Sequence, residues 1–126
     1  MNLVDSCGWL EVFAEGPNAG FFAPALEDRE ELLVPTICLF EVFKRVLDQR
    51  GEKAALEAAA FMQRGRLEEL SSAIALSAAR LLVEKRLPLA DSIILATARR
   101  HSALVWTQDA HFEGLEGVRY VARKTG

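Results

Sequence analysis

Histidine and cysteine are scarce in this chain, two of each among 126 residues. Cys7 and Cys38 lie far apart and in no CxxC spacing, so neither a zinc site nor a dithiol redox motif can be read from them. Both are expected as reduced, buried thiols, since cytosolic cysteines are kept reduced. Long apolar runs are also missing: none approaches the roughly 20 residues needed to cross a bilayer. The opening Met1-Asn2-Leu3-Val4-Asp5 meets an acidic residue without the basic segment, apolar stretch and cleavage site of a secretory signal. A soluble, cytoplasmic protein with no membrane partner is the expectation. Nor is there an excess of positive charge. The formal net charge of -3 gives no global attraction to nucleic acid, so any polyanion must be held by local features. Basic residues do gather at Lys44-Arg45, Arg64 with Arg66, Lys85-Arg86, Arg99-Arg100 and Arg123-Lys124, although such groups ordinarily serve as solvated helix faces and ends. Internal repeats, low-complexity tracts and Pro/Ser-rich linkers are absent as well.

What remains is a chain with 51% hydrophobic residues and the length of one compact domain, expected over residues 1–126. Leu3-Val4 reads as a short strand ending at Asp5-Ser6, followed by a helix carrying Trp9, Leu10 and Phe13 that stops at Gly16-Pro17. Leu32-Leu33-Val34 is a second strand, with Thr36 as a possible cap for a helix bearing Ile37, Phe40, Val46 and Leu47 up to Gly51. The alanine-rich Ala54 to Met62 favours helix, Gly65 can end it, and Arg66 to Leu70 is a brief third strand. Ser71-Ser72 and Pro88 open two further helices. Ala103 to Thr107 is the continuous apolar run of a strand covered on both faces, and Val118 to Val121 is the last strand. Strands alternating with helices predict an α/β fold: a three-layer α/β/α sandwich around a mainly parallel sheet of four to five strands.

In such a sheet the functional crevice lies beyond the carboxyl ends of the strands. Asp5 falls where the first strand ends, and Asp109 falls just past the Leu104 to Thr107 strand. Glu41 and Asp91 sit among apolar residues, where an unpaired charge would cost several kcal/mol. Asp91 has an ordinary explanation, because a first-turn carboxylate after Pro88 meets the helix dipole and can cap free N–H groups. For Glu41 the ordinary explanation is an ion pair with Lys44 or Arg45. Gathered at one rim, the four carboxylates would repel one another unless protonated or neutralised by cations. Oxygen ligands favour hard ions, Mg²⁺ or Mn²⁺, which could orient a water and stabilise an in-line phosphodiester displacement.

Four motifs recur in order: Val4-Asp5-Ser6, P-T-x-x-x-x-E from Pro35 to Glu41, Leu89-Ala90-Asp91-Ser92-Ile93-Ile94-Leu95-Ala96-Thr97-Ala98, and T-x-D-x-x-F from Thr107 to Phe112. In this the chain resembles PIN-domain ribonucleases over nearly its whole length. Its size and the Asp5-Ser6-Cys7-Gly8-Trp9-Leu10-Glu11 opening are similar to VapC toxins of type II VapBC toxin-antitoxin pairs. The resemblance implies that Asp5, Glu41, Asp91 and Asp109 form the acidic metal-binding and catalytic centre of a Mg²⁺-dependent endoribonuclease. It also implies a VapB-type antitoxin covering that centre, a homodimer, and an RNA substrate of the tRNA or rRNA class.

Ser6 and Thr107 match polar positions that support the carboxylates, though a helix N-cap would also explain Ser6. Lys44, Arg45 and Arg99 are candidate RNA backbone contacts. His111 stands where some relatives carry a further acidic residue; an exposed loop histidine is the commoner meaning, and phosphate contact or proton carriage is the functional one. Trp9, Trp106 and His101 read as packing and helix-end residues. Two alternatives stay open: a catalytically silent binding module, and a receiver-like Mg²⁺-binding phosphoacceptor domain. The latter would want an acidic pair after the first strand and a late lysine beside the site, whereas Asp5 is followed by Ser6 and Lys124 sits in the tail.

Overall fold

Leu3, Val4, Leu33, Val34 and Val105 are wholly shielded from solvent, and because successive strand residues point to opposite faces, the sheet they form is covered on both sides. The computed structural model describes residues 1–124; Thr125 and Gly126, the end of the expected 1–126 domain, lie outside the described residues. The strands are β1 (Asn2–Val4), β2 (Leu32–Pro35), β3 (Arg66–Glu68), β4 (Leu104–Thr107) and β5 (Val118–Tyr120). They make one sheet in the order β3-β2-β1-β4-β5, with every neighbouring pair parallel. The six helices among the described residues are α1 (Ser6–Phe13), α2 (Ala19–Glu27), α3 (Thr36–Arg50), α4 (Glu52–Met62), α5 (Ser72–Lys85) and α6 (Leu89–Arg100). The expected layered α/β fold is present, and its sheet is entirely parallel. None of these helices is long and apolar enough to cross a membrane.

The order of strands places β1 at the centre. From β1 the chain moves outward through β2 and β3, then returns to lay β4 on the other side of β1. The crevice at such a reversal is the natural ligand site of an open parallel sheet. The two edge strands are short and carry Arg66, Glu68 and Arg119, which blunt them against further strand addition.

Close packing supports this centre. A Cβ on Gly8 would stand 2.6 Å from Val4 Cγ1 and 2.7 Å from the Phe22 ring, so only glycine lets α1 lie this near β1 and α2. Trp9 is fully buried and stacks on Phe13, with Phe61 edge-on to both. Trp106 is buried too, its indole N–H donating to the Asn2 side chain, so both tryptophans pack as expected.

Thr36 does not cap α3: Pro35 holds the N-cap position, no side chain caps the helix, and Thr36 is its first residue. The helix α2 has no counterpart in the sequence reading, because Pro24 lies inside it and proline normally breaks a helix. Here its missing N–H would have met the carbonyl of Gly20, at the exposed start of a nine-residue helix, where one lost bond is tolerated.

Candidate metal centre

Asp5 leaves β1 in extended backbone and caps α1, its Oδ1 accepting the Ser6 N–H at 2.7 Å. Its Oδ2 accepts the Thr107 hydroxyl at 2.8 Å and the Cys7 thiol at 3.3 Å. The same Thr107 oxygen accepts the Asp109 N–H at 2.9 Å, so one buried hydroxyl ties the ends of β1 and β4 together. Asp109 then caps a short 3₁₀ turn over Ala110–Phe112, where Oδ1 takes the His111 N–H at 2.9 Å and the fully buried Phe112 anchors the turn. Since Asp5 fills the cap position, Ser6 is free for another role: its hydroxyl donates to Glu41 Oε1 at 2.6 Å. This bond, rather than an ion pair with Lys44 or Arg45, holds Glu41, and no such ion pair forms among the described residues.

Asp91 is different because no hydrogen bond reaches its buried oxygen and, among the basic groups of the described residues, only the His111 imidazole stands near it. It lies in the first turn of α6, but Pro88 at the N-cap has no N–H to offer, and no side-chain cap forms. The residue is 8% exposed and its Oδ2 has no hydrogen-bond partner. His111 Nδ1 stands 3.4 Å from that oxygen, outside hydrogen-bonding alignment, and 2.9 Å from Asp109 Oδ1. Ligand atoms of Asp91, Asp109 and His111 all lie within 4.8 Å of one another.

The electrostatics follow from this crowding. Burial, then the negative charges of Asp109, Asp5 and Glu41, push the Asp91 carboxyl up to about 8. Burial also raises Asp5, against the lowering effect of its hydrogen bonds from Thr107, Cys7 and Ser6. Cys7, desolvated and beside Asp5, is pushed up to about 12 and remains a thiol donor. The arrangement is a carboxylate cluster short of positive charge, with one buried oxygen aimed at the shared space.

Residues 3–118 match the PIN domain family. The chain belongs to the PIN-domain family. Solved structures agree in fold. A toxin–antitoxin complex from Klebsiella pneumoniae superposes with a TM-score of 0.80 at 25% identity, covering 94% of this chain and 96% of that one. The VapC20 toxin of Mycobacterium tuberculosis, described as cleaving the sarcin-ricin loop, gives a TM-score of 0.76 at 19% identity over 92% of this chain and 95% of that one. DNA-bound VapBC from Salmonella typhimurium gives 0.71 at 16%, covering 97% and 98%. Comparison with curated proteins finds no match. Membership of the PIN-domain family sets aside the receiver-like alternative.

The basic residues of this PIN domain divide by position. Arg45 and Arg123 line an open cavity of about 290 Å³ with Cys7, Glu11, Arg50 and Gln108, beside Asp5 and its supports. Lys44 is exposed on α3, its ammonium 5.8 Å from the Phe40 ring centre. Arg99 lies apart from the other two candidates. It sits more than two turns below Asp91, roughly 12 Å along the axis, beside Ala103, Leu104 and Gly117 at the amino ends of β4 and β5. A polar latch stands beside the cavity: Asn18 donates to Gln108 and to the Ala122 carbonyl, while Glu11 accepts the Asn18 N–H. It closes over contacts far apart in sequence, for which no local pattern exists.

Proposed function

We propose that this PIN domain is a VapC-type toxin: a cytoplasmic endoribonuclease that depends on a divalent ion, Mg²⁺ or Mn²⁺. The observation that carries this reading is the buried, unpartnered Asp91 oxygen facing Asp109 at the crevice where the strand order reverses. A carboxylate in that state needs a proton or a cation, and oxygen donors at this density suit a hard divalent ion.

Asp5, Glu41, Asp91 and Asp109 would hold the ion. Bound there, a divalent cation supplies charge neutralisation and Lewis acidity towards a phosphodiester. The protein's part is positioning. Thr107 and Cys7 fix the direction of Asp5, Ser6 fixes Glu41, and the capped turn fixes Asp109. Arg45 and Arg123 at the adjacent cavity, with Lys44 further out, offer cations to a nucleic-acid backbone. RNA of the tRNA or rRNA class is the proposed substrate.

The partner proposed is a VapB-type antitoxin, supported by the similarity to toxin–antitoxin complexes. A homodimer is proposed as well. An apolar groove between α5 and α6, lined by Leu70, Leu82, Val83 and Leu89, would be costly to leave in water. Sedimentation velocity should find a dimer; a monomer at every accessible concentration would remove this element.

Purified protein should cut cellular RNA at discrete positions with Mg²⁺ or Mn²⁺. EDTA or the Asp5→Asn substitution should abolish the cuts, because each removes charge balance without changing the shape of the site. Full activity of a folded Asp5→Asn protein would overturn the assigned centre. Metal binding without cleavage of either RNA class, from protein free of antitoxin, would favour a silent binding module.

A further inference from the structure

Resting on the metal-centre reading above, we infer that His111 supplies a nitrogen ligand through Nδ1, so that the centre prefers Mn²⁺ and similar borderline ions over Mg²⁺. The backbone that carries the imidazole is fixed from both sides. Its backbone N–H is held by Asp109 Oδ1, and the next residue, Phe112, is locked in the core. Although the side chain is 60% exposed, its Nδ1 edge faces two carboxylates, 2.9 Å from Asp109 Oδ1 and 3.4 Å from Asp91 Oδ2. Adjacent ligands about 2.1 Å from a six-coordinate ion stand about 3 Å apart, so these are separations that one shared ion would produce. The second oxygen is also the buried atom that no hydrogen bond satisfies.

The chemistry of the donor sets the selectivity. Mg²⁺ takes oxygen almost exclusively, whereas imidazole nitrogen suits transition metals. An all-carboxylate site would give Mg²⁺ the full ligand set; one nitrogen in it moves the preference towards Mn²⁺, Co²⁺ and Ni²⁺. The competing role for His111 is a simple cation balancing Asp91 and Asp109. That role makes the opposite prediction, since removing a bound cation should leave metal affinity unchanged or raise it.

Calorimetric titration of Mn²⁺ and Mg²⁺ into metal-free wild type, His111→Ala, His111→Asp and Asp91→Asn distinguishes them. Pulsed electron paramagnetic resonance of the Mn²⁺-loaded wild type adds a direct readout of nitrogen coordination. We expect His111→Ala to weaken Mn²⁺ at least about tenfold, the scale set by lost metal partners, with a smaller loss for Mg²⁺. His111→Asp should retain Mg²⁺ binding and lose the preference, and nitrogen coupling should be present only with His111. An unchanged Mn²⁺-to-Mg²⁺ ratio in both variants, with no nitrogen coupling in wild type, would overturn the inference while leaving the centre intact, provided Asp91→Asn still loses binding. Wild type that binds neither ion, or Asp91→Asn that binds both normally, would remove the centre itself.

Discussion

Asp91→Asn should destroy activity and, in metal-free protein, increase stability. The activity loss is expected to be at least about 100-fold, because even groups one step removed from a bound metal are worth about 10–100-fold. The stability gain comes from removing a carboxyl that the fold holds at about 8, against an ordinary value of 3.8. A carboxyl raised in the folded state binds its proton more tightly there than in the unfolded chain. Its contribution to stability is therefore complete below about pH 4 and is lost as pH rises through about 8. With EDTA present, the stability difference between Asp91→Asn and wild type should grow across that window. It should reach roughly 1–3 kcal/mol at the alkaline end, the scale for an unsatisfied buried group. Saturating metal should reverse the order, since an ion at 100 times its Kd adds about 2.7 kcal/mol to the form that binds it. Denaturant titrations at pH 5 and 8, with and without metal, test this. Wild type as stable as the variant in EDTA at pH 8 would mean that Asp91 bears no such penalty.

Phe112→Ala is expected to cost about 3–5 kcal/mol, as for large buried aromatics. Phe112 has no exposed surface and ends the turn that begins at Asp109. Its loss should do more than leave a void. Asp109 and His111 are held on one side by Thr107 and on the other by this ring, so freeing the turn should lower metal affinity as well. Phe112→Leu should recover most of both losses. A variant destabilised by several kcal/mol that still binds metal like wild type would show that Thr107 alone positions the turn.

The sheet was legible in the sequence wherever apolar runs ended in turn or helix signals. Leu3-Val4, Leu32 to Val34 and Leu104 to Thr107 all became strands within a residue of their expected limits. Asp5 and Asp109 stood out because strand ends locate the crevice of a parallel sheet, and Glu41 because it sits among apolar residues. The true partner of Glu41 is Ser6, reached across the fold, where sequence spacing is silent. His111 was ambiguous for a related reason. Its meaning depends on a backbone turn that bends it back onto Asp91, a residue on a different element. The distance of Arg99 from Asp91 follows from its place at the far end of α6, which a count of basic residues does not show. Pro24 concealed α2, since a short helix with a solvent-facing interruption looks locally like a loop.

The order of the strands also bears on when a new chain can assemble the proposed centre. β1, β2 and β3 all precede β4 in the chain, so the flank of β1 that receives β4 stays open until residues 104–107 arrive. Asp109 and the Thr107 hydroxyl that aligns Asp5 are supplied only then. No amino-terminal fragment ending before Leu104 contains the assembled centre. If the proposed ribonuclease reading holds, a chain still on the ribosome could not cut the RNA around it before residues 104–109 have been added.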